Sequence, residues 1–223
     1  MLTVAINSAT QRTSAALLKN GKLLAEKSWI SNKDEAEKIL PAIQALLKKT
    51  KNRWQDITEI FVVTGPGPFT GLRIGVTVAN ALAWSTGSPI RTSGVFECIR
   101  TQIGKKFLNK TAVVVKGGGD YIALALPQSK KEKLIELKNF PIIFKKTGLK
   151  YICTEMKPQE LAALKKLFKA QKISARFVTP KELKTFGHAA EELLKTSKKS
   201  LKLAKPLYLQ KPHITQSKKP VFV

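Results

Sequence analysis

Histidine and cysteine are scarce in this 223-residue chain: His188 and His213 stand far apart, and so do Cys98 and Cys153. Neither a His-x-x-x-His metal pair nor a C-x-x-C metal or redox motif is present, and no disulfide framework is indicated. The two thiols are expected to pack as small buried hydrophobes. Carboxylates are also few, 15 Asp and Glu against 40 Lys and Arg, which leaves little for a nuclease that must cluster acids around two metal ions. No apolar run approaches the ~20 residues of a membrane span, and the opening MLTVAINSAT lacks a basic segment followed by a long apolar one. A soluble, cytoplasmic protein without membrane contact is expected.

Positive charge is what the chain has in excess. Its formal net charge is +25, and residues 1–103 hold only 13 of the basic residues against 7 acidic ones. The basicity therefore belongs mostly to residues 104–223. Such a half attracts a polyanion such as RNA through counterion release, but Lys outnumbers Arg there and aromatics seldom interleave, so the charge supplies affinity without specificity. A solvated lysine surface that serves solubility is the competing reading.

A hydrophobic content of 43% in a chain of this length supports a substantial core, as one large domain or two small ones. Leu2–Ile6 reads as a buried strand, and Ala15–Leu18 with Leu23–Trp29 as a hairpin around Asn20-Gly21, a pair suited to a type I′ turn. Asp34–Lys49 carries Ala36, Ile39, Leu40, Ile43, Leu46 and Leu47 at the spacing of one helical face, with Pro41 expected to kink or restart the helix. Glu59–Thr64 is a strand, and Leu72–Ser85 is a helix stopped by Gly87 and Pro89. In the second half, strands are expected at 111–116, 121–126, 151–154 and 174–178. Helices are expected at Gln159–Ala170 and Lys181–Lys195, each opened by a proline, Pro158 and Pro180. The tail from Leu201 reads as an extended arm. Two halves of strands and helices suggest an α/β protein of duplicated subdomains, 1–103 and 104–223, with a hinge near Gly104.

The segment TGPGPFTGLRIG, residues 64–75, links a strand to a helix. It is no P-loop, since only three residues separate Gly67 from Gly71 and Leu72-Arg73 follows; the G-x-G-x-x-G fingerprint fails by one position. Pro66 and Pro68 remove backbone N–H groups that a phosphate cradle would use. Gly65, Pro66, Gly67, Phe69 and Thr70 instead read as a tight structural turn, with Thr70 placed to cap the helix and leave a weak anion site in its first turn. Along that helix Gly71, Gly75, Ala79 and Ala83 recur every four residues and form a stripe, while Leu72, Ile74, Val76, Val78, Leu82 and Trp84 make the rest apolar. Such a helix needs cover on several sides. The stripe admits a close-packed helix from a partner, or from the same chain.

Together with LTVAINSAT, KILPAIQALL and the C-terminal KPLYLQ, the segment TGPGPFTGLRIG resembles the TsaB (YeaZ) family. The match is strong to about residue 95 and weak from there to Pro206. The resemblance implies a duplicated actin-like fold of the ribonuclease-H-like class. It implies a non-catalytic subunit in bacterial synthesis of threonylcarbamoyladenosine on tRNA, paired with the metal-binding transferase TsaD and assisted by the ATPase TsaE. Alone, such a chain can form homodimers. The interface implied for the heterodimer comprises Ile39, Ile43, Leu46, Gly71, Arg73, Gly75, Ala79 and Ala83.

Four positions depart from the family pattern: Asn7 for a first-strand Asp, Glu35 for a common His, Pro68 for the loop Ser, and Lys116-Gly117-Gly118-Gly119 for Asp-Ala-Arg. Loss of the acids at Asn7 and Lys116 weighs against independent ATP hydrolysis, so no cofactor is expected on the isolated chain and ATP or ADP is placed at the complex interface. Gly117-Gly118-Gly119-Asp120 reads as a hairpin turn. The rival function is a basic RNA-binding module on the same fold with no TsaD partner.

Overall fold

Leu2–Asn7 (β1) is buried along its whole length. It pairs antiparallel with Arg12–Lys19 (β2), which pairs in turn with Lys22–Ile30 (β3). Asn20 and Gly21 take φ of 53° and 75°, the left-handed values that a type I′ turn requires at both central positions. The computed structural model describes residues 1–127, 129, 131–178, 182–196 and 200–209; the expected Pro180 start and His213 lie outside them.

Glu35–Lys49 (α1) runs through Pro41 without interruption, because Pro41 lies on the exposed side while Ile39, Ala42, Ile43, Leu46 and Leu47 are buried. The expected restart does not occur. Glu59–Val63 (β4) pairs parallel with β1, and Ile90–Ser93 (β5) extends the sheet in parallel with β4. Between them Phe69–Thr86 (α2) ends on Gly87, whose φ is 67° and whose N–H bonds the Ala83 carbonyl. The first sheet is ordered β3-β2-β1-β4-β5.

Val95–Gln102 (α3) and the short Lys105–Leu108 (α4) lead to Thr111–Gly118 (β6), Tyr121–Ala125 (β7) and Lys133–Glu136 (β8). Phe140–Thr147 (α5), Tyr151–Thr154 (β9), Pro158–Ala170 (α6) and Arg176–Val178 (β10) complete the second sheet. Its order, β8-β7-β6-β9-β10, repeats the first: an antiparallel meander with two parallel strands added beside its first strand. A duplicated fold follows directly.

The second half closes differently from the expected 104–223 unit. Phe186–Thr196 (α7) packs on α3 and on β1, β2 and β3, and residues Phe186, Ala189, Leu193, Leu194 and Ala204 join the core of the first sheet. The hydrophobic reason is plain: α7 buries one apolar face, and the free face of the first sheet is what receives it. The second sheet has its own core around Phe140, Phe144, Phe168 and Ile152, with the phenyl rings of the first three meeting edge to face at 5.5–5.9 Å.

Candidate partner-binding face

The Gly/Pro loop is shaped by the turn that follows β1. Asn7 Oδ1 accepts the Ala9 N–H at 3.0 Å, an Asx-type turn that folds residues 7–9 back toward the loop. A Cβ on Gly67 would collide with the Ala9 carbonyl oxygen, so only glycine admits this approach. Gly65 adopts φ of 113° and its N-terminal side of the loop lies against Leu72 and the Leu207 carbonyl. The loop therefore works as a close-packed structural turn. Pro68 takes the N-cap position and α2 begins at Phe69, so Thr70 sits inside the first turn, exposed, and does not cap it.

The small-residue stripe points inward. At Gly71 a Cβ would lie 3.0 Å from both Glu35 Oε1 and the Ser8 carbonyl oxygen, and at Gly75 it would collide with Ser8 Oγ. Ala79 and Ala83 are buried, as are Ile39, Ile43 and Leu46 on α1. The stripe is small because the β1–β2 turn and the start of α1 crowd it, which corrects the expectation that its bare side faces a partner. Of the implied interface residues, only Arg73 is exposed.

A different surface faces outward. On α2 it runs through Thr70, Arg73, Thr77, Ala81 and Trp84, one residue every three or four positions and all exposed. Trp84 is 89% exposed, and Leu40 on the neighbouring α1 is 42% exposed. The periodic pattern did contain these residues, but Leu40 and Trp84 were indistinguishable from core positions on helices that are apolar on more than one side.

The segment 200–209 straps this region. Ile90 and Leu201 exchange backbone hydrogen bonds at 2.7 and 2.9 Å, and the Leu207 N–H bonds the Thr64 carbonyl at 2.7 Å. Tyr208 stacks on Phe69 with ring centroids 4.7 Å apart, and Arg73 Nε donates to its hydroxyl at 2.9 Å. The resemblance of KPLYLQ to the family segment thus falls on residues that dock against the loop and α2.

Between the two sheets lie two cavities, about 290 and 120 Å³, that share Arg12 and Glu155. Burial pushes the Glu155 carboxyl above its ordinary range, opposed by the Thr10 hydroxyl and the Arg12 charge. The larger cavity also has Glu26 in its wall, and two carboxylates make it a poor home for phosphate. Lys116 pairs with Glu160 at 3.5 Å, and Gly118 and Gly119, with φ of 100° and 52°, form the expected hairpin turn. Among the described residues no three His, Cys, Asp or Glu side chains gather in a metal-binding arrangement. No described helix is long and apolar enough to cross a membrane.

Comparisons with known proteins bear on the same segments. Residues 29–134 match the family model of TsaD, tRNA N6-adenosine threonylcarbamoyltransferase. The chain is 35% identical over 99 residues to the tRNA threonylcarbamoyladenosine biosynthesis protein TsaB of Bacillus subtilis, a stretch covering 44% of this chain and 43% of that protein. It is 29% identical over 159 residues to the TsaB of Buchnera aphidicola subsp. Schizaphis graminum, covering 67% and 75%. The chain is thus similar to TsaB proteins over part of its length, and it spans less than half of the Bacillus subtilis one. The solved structure of YeaZ from Pseudomonas aeruginosa superposes with a TM-score of 0.69 at 16% identity, over 93% of this chain and 99% of that one. That likeness concerns the fold alone, and with the repeated sheet order it makes this the duplicated actin-like fold.

Proposed function

We propose that this chain is a non-catalytic subunit of the machinery that makes threonylcarbamoyladenosine on tRNA, binding and supporting a TsaD-type transferase. The supporting observation is the outward side of the α1–α2 pair, where Trp84 stands 89% exposed and Leu40 42% exposed beside small residues. A large aromatic left in water is costly to keep and is a frequent anchor of protein interfaces. TsaB relatives named for this pathway and the TsaD family match over residues 29–134, which include both helices, support the same reading. TsaE, and ATP or ADP at the joint interface, complete the proposed assembly. Asn7 here shapes a turn through the Ala9 N–H, in place of the acid that would help hold a metal–nucleotide.

The test is co-purification of the chain with the TsaD-type protein of the same genome, followed by assay of tRNA modification with and without the chain. Stable association that Trp84→Ala abolishes, with modification lost when the chain is omitted, is the expected result. Modification unaffected by omission would refute the proposal.

A further inference from the structure

We infer that the edge of the second sheet where β6, β9 and β10 begin is a landing surface for an RNA sugar–phosphate backbone; this rests on the proposed role in tRNA modification. The three strands start level, with Thr111 and Arg176 both opposite Tyr151. Lys110 and Lys150 precede β6 and β9 and are neighbours, since the Lys150 and Tyr151 N–H groups bond the Lys110 carbonyl at 3.4 and 3.1 Å. Arg176 is tied to the same edge by its N–H bond to the Lys150 carbonyl at 3.0 Å.

Both helices on this sheet end here as well. The last turn of α5 carries Lys145 and Lys146, three residues or so before β9; the last turn of α6 carries Lys169, with Lys172 just beyond it. Lys110, Lys145, Lys146, Lys150, Lys169 and Lys172 are all exposed, and among the described residues none has an ion-pair partner. Glu155 and Glu160 lie past the opposite ends of the strands, and Glu182 is taken by Arg176 at 2.6 Å. At the opposite end Glu160 pairs with Lys116, so carboxylates stand among basic groups there, whereas the lysines at the strand starts have no described acidic partner.

Helix dipoles explain part of this cluster, because lysines favour the last turn of a helix. They do not explain Lys110 and Lys150, which precede strands. Neighbouring strands lie about 4.8 Å apart, so the lysines form a compact multivalent surface suited to successive phosphates. Tyr151 has the Arg176 guanidinium over its ring at 5.8 Å and meets the Phe107 ring in a T-shaped contact with centroids 5.1 Å apart. With no free aromatic platform among the described residues there, the surface reads backbone charge rather than bases.

The test titrates the full chain with an unmodified tRNA transcript at several salt concentrations. One variant joins Lys145→Glu, Lys150→Glu, Lys169→Glu and Lys172→Glu; a charge-matched control joins Lys22→Glu, Lys27→Glu, Lys48→Glu and Lys49→Glu. Binding by the unaltered chain should weaken steeply with salt, at about 0.7–0.9 in log–log slope for each phosphate contact. The edge variant should lose about three units of slope and the control little. Circular dichroism verifies folding, and Gln replacements at the same four positions give the effect without charge reversal. Equal losses in both variants, an unaltered edge variant, or tighter binding to phosphatidylserine vesicles than to tRNA would each overturn the inference. Partner pull-down separates the two readings: an edge variant that still captures the TsaD-type protein but not tRNA supports the edge, whereas edge-dependent tRNA binding without partner capture refutes the proposed function alone.

Discussion

Asn80 holds Ala204 by both ends of its amide: Nδ2 donates to the Ala204 carbonyl at 3.1 Å and Oδ1 accepts the Ala204 N–H at 2.8 Å. One side chain on α2 thereby satisfies a backbone unit of the strap that has no strand beside it. Ala204 itself is buried in the first core. Sequence far apart is joined here, and the strap continues to Tyr208 over the start of α2.

Asn80→Ala should release this joint. Two hydrogen bonds at about 0.5–1.5 kcal/mol each predict a loss of about 1–3 kcal/mol in urea unfolding. Amide exchange should quicken at 201–207 more than in β1. An unchanged midpoint and unchanged exchange would show that the strap is held by its other contacts.

Gly75→Leu should unfold or strongly destabilise the isolated chain, because the first atom of any side chain meets Ser8 Oγ and Cβ. Gly67→Ala should do the same, since its Cβ collides with backbone at Ala9, which has no rotamer in which to yield. Thermal melts without any partner are the measurement. A wild-type melt for Gly75→Leu would mean that the stripe is not enclosed as described.

Trp84→Ala and Leu40→Ala separate fold from assembly. Exposed positions away from special backbone features usually shift stability by no more than about 0.5 kcal/mol, so the melts should barely move. Partner affinity should fall for Trp84→Ala by about 2 kcal/mol or more if it anchors an interface. Retained capture of the TsaD-type protein by Trp84→Ala would remove this face from the interaction.

The first sheet is legible in the sequence because β1 and β4 are buried apolar runs and the β2–β3 hairpin turns on Asn20-Gly21, a pair of definite chemistry. Ile90–Ser93 and Lys133–Glu136 escaped because four residues show no period, and their pairing comes from neighbours far away in sequence. α5 carries little periodic signal, because Phe140 and Phe144 lie in a short helix with lysines close by. Spacing places the α2 stripe on one face but carries no sign: it says that Gly71 and Gly75 share a side, and only Ser8 and Glu35 decide that this side is inside. The same holds for the lysine edge, whose residues are scattered from 110 to 172 and meet only through strand register.

Asp34 gives the fold a defined sensitivity to acid. Its carboxylate pairs with Lys38 at 2.6 Å and accepts hydrogen bonds from Trp29 Nε1 at 3.2 Å, Ser31 Oγ at 3.2 Å and the Asn32 N–H at 3.4 Å. These contacts, the Lys38 partner foremost, lower its pKa from 3.8 to about 2. A carboxyl depressed in the folded state contributes stability that is fully present above its unfolded value and lost as pH falls through the folded one. The window therefore runs from about pH 4 down to about pH 2. Asp34→Asn keeps acceptors for Trp29 and Ser31 but abolishes the titration, so the stability difference between wild type and variant should shrink steadily across that window. Urea unfolding at several pH values, followed by far-UV circular dichroism, measures it. A difference that stays constant from pH 5 to pH 2 would show that the Asp34 cluster is formed equally in the unfolded chain, or that its charge does not hold the entry to α1.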